Sequence, residues 1–141
     1  DYTVLGDIVN LSSRLEGQTK TYGMTAVLSS YTVDELGEDE KEIGENILEI
    51  DKIKVKGKKD PEIIFGLASD KISEDEKKYV GNYLSAFRKG DLVAAYSELD
   101  KLSKVAKEMK SFSSLMKERV TQLQITGLPD NWEGVFEATS K

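Results

Sequence analysis

Residues 1–16 read DYTVLGDIVNLSSRLE. A strand-like start is broken by a glycine, and a helical pattern begins almost at once. Asp1 to Leu5 has the pattern of a strand end, Gly6 interrupts it, and Asp7 is a good N-cap for a helix beginning there. Ile8, Leu11 and Leu15 recur at helical spacing and predict a core-facing stripe, with Asp7, Asn10, Arg14 and Gln18 on the other side. The helix is expected to run over 7–22 and to stop at Gly23 in the left-handed conformation. A chain that opens in this way is expected to start inside a domain and to be a fragment of a longer protein.

Working outward, MTAVLSS (24–30) predicts a short buried strand, and YTVDELG (31–37) a brief helix capped by Ser30 and closed by Gly37. The acidic run GEDEKEIGEN (37–46) is expected to be a solvated loop. ILEIDKIKVKGKKDPEIIFGLAS (47–69) reads as a hairpin. Ile53 and Val55 alternate with Lys52, Lys54 and Lys56, giving one apolar face and one row of ammonium groups. Gly57 through Pro61 form the expected turn, and Ile63, Phe65 and Leu67 are expected to point one way on the return strand.

The pattern changes near residue 69. SEDE (73–76) is a Ser-x-x-Glu capping box, followed by Tyr79, Tyr83, Leu84 and Phe87 on one helical face. KGD (89–91) predicts a tight turn into a helix carrying Ala94, Ala95, Leu99 and Leu102. A third helix is expected from about Ser111 to Ile125, then a tail with the only tryptophan, Trp132. Trp132 and Phe136 are expected to pack back on the helices. The fold class expected is α+β: an antiparallel sheet with helices over residues 1–68, then a helical hairpin extension over 69–141.

At 141 residues the chain is one ordinary domain or a small domain with an extension. It has no cysteine and no histidine, which removes disulfides, thiolate metal sites and the usual general base. Any chemistry must use carboxylates, hydroxyls, amides, Lys and Arg. Residues 1–68 carry 8 basic and 14 acidic side chains, a net of −6, while 69–141 carry 12 of each. No domain-wide basic field exists, so nucleic acid is not an expected partner. The local exception is Lys52, Lys54, Lys56, Lys58 and Lys59. No apolar run approaches the roughly 18 residues a bilayer span needs. No membrane contact from this segment is expected, and a cytoplasmic location is, with any anchor lying upstream.

YTVLGDIVNLSSRLE resembles the signature segment of class III nucleotidyl cyclases: aromatic, any residue, an aliphatic pair, Gly, a polar residue, any residue, then Val-Asn, with Arg four positions on and an acidic residue two further. DKIKVKGKKDPEIIFGL resembles that family's last hairpin, with its Val-Lys-Gly-Lys motif. The blocks have the family's order and separation, and cover about residues 1–68. One departure is Ile8, where a small hydroxyl or amide residue is commoner. The resemblance implies the C-terminal half of a ferredoxin-like catalytic domain that converts ATP to 3',5'-cyclic AMP and pyrophosphate in signal transduction. It assigns catalytic roles to Asn10, which orients the ribose, and Arg14, which stabilises charge on the transferring phosphoryl group and leaving pyrophosphate. It assigns substrate binding to Thr3, at a base-reading position, and to Lys56, on the terminal phosphates. Asn10 and Arg14 are i and i+4, hence on one helix face near its N-terminus, where phosphate is favoured.

The same resemblance implies Mg or Mn as cofactor, with carboxylate ligands in the other half of the domain, and no metal ligand within these residues. Asp7 reads as a helix cap. It further implies ATP as partner and a homodimer with composite sites, this segment being inactive and prone to associate when alone. YLSAFRKGDLVAAYSELDKLSKV (83–105) is similar to a tetratricopeptide-type hairpin, an extension that several bacterial cyclases carry; a generic three-helix appendage reads the residues as well. Three alternatives stay open: a degenerate cyclase domain acting as a regulatory or binding module, a guanylate cyclase, and a lysine-hairpin nucleic-acid binder. Taken alone, a mid-helix Asn–Arg pair is a solvated face, and alternating lysines protect an edge strand.

Overall fold

The left-handed stop expected at Gly23 is present: Tyr22 is helical, and Gly23 has φ +66. A Cβ at Gly23 would lie 2.5 Å from Ser111 Cβ, so close packing demands glycine there as well as the backbone angle. The computed structural model describes residues 22–36, 41–54 and 59–137. The strand expected over 1–5, the 7–22 helix before Tyr22, and Gly37, Val55, Lys56 and Gly57 lie outside the described residues.

Among the described residues the chain is α+β, with four strands and five helices. Strand β1 (Ala26–Ser29) leads into α1 (Ser30–Asp34) and α2 (Lys41–Gly44). Strands β2 (Ile47–Lys54) and β3 (Glu62–Leu67) come next, then α3 (Glu74–Lys89), α4 (Leu92–Val105), α5 (Lys110–Thr126) and β4 (Val135–Glu137). The sheet order is β1-β3-β2-β4. β1 and β2 both run antiparallel to β3, as the hairpin reading requires, whereas β4 runs parallel to β2, pairing Lys52 with Val135, Ile53 with Phe136 and Lys54 with Glu137. The sheet is thus mixed where an antiparallel one was expected. The tail returns to it as a strand, which a three-residue segment does not announce.

Both faces of this sheet are covered. On β1, Val27 faces the helices while Ala26 and Leu28 face the opposite way. The helical face packs Val27, Ile50, Ile53 and Ile64 into one cluster with Val80, Tyr83, Phe87, Leu99, Phe112 and Met116. The other face buries Ala26, Leu28 and Leu67 beneath Val33, Leu36 and Ile43. On β3, Phe65 and Leu67 share the second face as expected, and Ile64 is fully buried against the helices. A strand buried on both sides loses the apolar-polar alternation that marks a half-exposed one.

Two local expectations are corrected. The cap of α1 is Ser29, whose hydroxyl accepts from the Thr32 N–H at 3.1 Å, and Ser30 is the first helical residue. The acidic run is not all loop: α2 forms within it, and its Ile43 packs on the second face. The helical part keeps to its expected grammar. Ser73 and Glu76 make the capping box of α3, Gly90 ends that helix at φ +82, and Asp91 caps α4 by accepting from Ala94 N–H at 3.0 Å. Tyr83, Leu84, Phe87, Ala95, Leu99 and Leu102 are buried. No helix among the described residues is long and apolar enough to cross a membrane.

Gly90→Ala is expected to cost about 1–2 kcal/mol, because an L side chain strains a left-handed residue. The added Cβ would meet Leu128 Cδ1 at 3.0 Å, the mobile end of a side chain, so backbone strain dominates. Urea unfolding followed by circular dichroism measures it; a neutral result would mean the turn rearranges without loss.

Candidate functional site

Thr3, Asn10, Arg14 and Lys56 all lie outside the described residues. In sequence they fall in two segments, residues 3–14 and those around Lys56. Tyr22 comes after the first segment in sequence, and β2 ends at Lys54, just before the second.

Between those two points lies a buried charge cluster. A β-bulge in β2 sets it up: Glu49 pairs with Phe65 and Asp51 with Ile64, leaving one extra residue on β2. The extra residue reverses the side-chain parity, so Leu48 and Ile50 before it and Asp51 and Ile53 after it all serve the helical face. Asp51 is thereby turned into the core, where it is 1% exposed. Its Oδ2 accepts from the Tyr22 hydroxyl at 2.5 Å and from Arg119 Nη1 of α5 at 2.5 Å, and its Oδ1 accepts from the Lys52 N–H at 2.8 Å. The Arg119 guanidinium lies 3.8 Å from the centroid of the Phe136 ring, on β4, and 5.8 Å from that of Tyr22. Four elements of the chain thus meet on one carboxylate and one guanidinium.

The electrostatics make this cluster a clamp and not an acid–base pair. Burial, and then the neighbouring Asp51 carboxylate, push the Tyr22 hydroxyl far above its ordinary range. The buried Tyr83 hydroxyl is raised in the same way and donates to Met116 Sδ at 3.2 Å. For Arg119, burial is the largest influence and would lower the pKa, but the Asp51 carboxylate together with Tyr22 and Tyr83 outweighs it and the guanidinium stays charged. Near neutral pH the two tyrosine hydroxyls stay protonated and the guanidinium stays charged.

Reading the sequence missed these residues, although one signal was present. Asp51 shares the parity of Ile53 and Val55, so the alternation that marked an apolar face also placed an acid on it. An acid there needs a buried cation, and nothing local supplies one: Arg119 is 68 residues away.

A groove of about 640 Å³ opens beside the clamp, walled by Phe87, Leu115, Leu123, Trp132 and Phe136, with Glu118 and Glu137 among its polar residues. Trp132 donates from Nε1 to the Phe87 carbonyl at 2.7 Å, its ring edge-on to Phe87 at 5.2 Å, and so packs back on the helices as expected. A second depression, near 460 Å³, lies between β2 and α3, where Arg88 Nη1 donates to Glu49 at 2.7 Å. Among the described residues no group of three or more acidic side chains is arranged to hold a metal ion.

Comparison with protein-family models, with curated proteins and with solved structures found no match.

Proposed function

We propose that residues 1–68 are the C-terminal half of a ferredoxin-like class III cyclase catalytic domain, with 69–141 a tetratricopeptide-like extension. The parent protein is an adenylate cyclase, cytoplasmic over this segment, that converts ATP to cyclic AMP and pyrophosphate. The observation that carries this reading is the pair of motif blocks, YTVLGDIVNLSSRLE and DKIKVKGKKDPEIIFGL, in the family's order. Further support comes from the strands of the second block, β2 and β3, which are adjacent and antiparallel, as a terminal hairpin must be. In this reading Asn10 and Arg14 serve the ribose and the transferring phosphoryl group, Thr3 the base and Lys56 the terminal phosphates. Mg or Mn bound by carboxylates of the other half of the domain, contributed across a homodimer, would supply charge neutralisation on the phosphates.

The test is cyclic AMP formation by the protein that carries the upstream sequence, with ATP and GTP compared. Preference for GTP would make it a guanylate cyclase. Absence of turnover, together with absence of an upstream pair of aspartates, would favour a degenerate module instead. Arg14→Ala is expected to lower kcat on the order of a hundredfold with a smaller change in KM, because its contact strengthens as charge develops. Lys56→Ala is expected to raise the KM for ATP about tenfold, since the terminal phosphates are already charged in the ground state. Steady-state kinetics decides; the reverse pattern would exchange the two roles.

A further inference from the structure

Residues 127–137 hold on to the fold without entering its core. Among the described residues, every buried hydrophobic side chain lies between Tyr22 and Val120, while Trp132 and Phe136 are partly buried against that core. Three backbone positions of the segment have positive φ: Gly127 at +85, Asn131 at +58 and Gly134 at +78. No helix or strand lies between α5 and β4, and β4 itself is three residues long. The groove of about 640 Å³ has α5 on one side and this segment on the other, so the two do not pack face to face along their length.

We propose that residues 127–137 form a strap that opens from and closes on the sheet as a unit while the core stays folded. Closure rests on contacts at the outside of the core. Trp132 Nε1 donates to the Phe87 carbonyl at 2.7 Å, and Gly134 seats against Arg88. The Phe136 ring lies 3.8 Å from the Arg119 guanidinium, and β4 pairs with β2 over 52–54. Losing these contacts leaves the packing of β1, β2 and β3 against the helices in place, so opening costs far less than unfolding. It uncovers two features together: the outer edge of β2, and Arg119, whose side chain is 11% exposed with the strap closed. The strap is thus a gate over a strand edge and a buried ion pair. It rests on geometry alone, with or without the cyclase reading.

Gly134 supplies the test, because its site is tight only when the strap is closed. A Cβ there would lie 2.5 Å from Arg88 Cγ and 3.0 Å from Arg88 Cα, and φ +78 disfavours any L side chain. Native-state amide hydrogen exchange of the full chain reads the opening. In wild type, the β4 amides that bond to β2 are expected to exchange through one opening that leaves β3 and α3 to α5 protected. Gly134→Ala is expected to quicken that exchange roughly tenfold and to leave β3 and α3 unchanged. Trp132→Phe, which removes the indole N–H and keeps an aromatic ring, is expected to quicken the same amides about fivefold. Wild-type β4 amides with no protection at all, or with the full protection of β3, would overturn the proposal. So would a Gly134→Ala effect that spreads evenly through β3 and α3 or that is missing from β4.

Discussion

Arg119→Met is expected to destabilise the fold by about 3–5 kcal/mol, the range for breaking a buried ion pair from one side. The size comes from what is left behind and not from the attraction lost. With the guanidinium gone, the Asp51 carboxylate is left without its counter-charge in a site 1% exposed and loses one of its two Oδ2 donors. Methionine roughly preserves the apolar stem, so contact with Phe136 is partly kept and the electrostatic cost dominates. Urea unfolding by circular dichroism should show the fall in midpoint. The double variant Asp51→Asn/Arg119→Met should recover most of it, since replacing both charges removes the orphan. A single variant within about 1 kcal/mol of wild type, on the scale of an ordinary exposed ion pair, would mean that water reaches the pair.

Glu76→Ala is expected to cost about 3 kcal/mol, because one fully buried carboxylate serves four donors. Oε1 accepts from the Ser73 N–H at 3.1 Å and the Ser73 hydroxyl at 2.9 Å, while Oε2 accepts from the Lys107 N–H at 3.0 Å and the Met109 N–H at 2.9 Å. The first pair caps α3 and the second ties down the link between α4 and α5, so truncation strands donors at two places. The variant also carries a pH signature. Burial, the largest single influence, pushes the Glu76 pKa up, but hydrogen bonds from Met109, Lys107 and Ser73 together bring it below the ordinary glutamate value. A depressed folded-state pKa means the contribution is complete above the unfolded value and disappears as pH falls through the folded one. Wild type should therefore lose stability in acid over that window, and Glu76→Gln should lose less. Equal acid sensitivity in the two would remove Glu76 as the cause.

What could be read in advance was local. The capping box at Ser73, the Gly90–Asp91 turn and the stop at Gly23 each arise from the conformational demands of a few neighbouring residues, and all three hold. The β2–β3 hairpin was legible from alternation around a turn. The failures share a cause. Ser29 displaces Ser30 as a cap because adjacent hydroxyls are equivalent until the chain direction at the strand end is known. The parallel β4 and the Asp51–Arg119 pair depend on partners far along the chain, which no window contains. The bulge that turns Asp51 inward cannot be told from regular strand by composition. As for the candidate site, Thr3, Asn10, Arg14 and Lys56 were legible only through motif resemblance, and they lie outside the described residues.

The return of β4 to β2 has a kinetic consequence. Lys52 pairs with Val135, a separation of 83 residues. Such a contact closes a loop of more than half the chain, and it forms late. On the ribosome, the outer edge of β2 over Lys52–Lys54 therefore waits for the last helix to emerge before β4 can cover it. Until then the nascent chain presents an open strand edge next to its densest run of lysines, a run whose mutual repulsion discourages pairing with a second copy. In this light the lysine row acts as a gatekeeper during synthesis, whatever it binds afterwards.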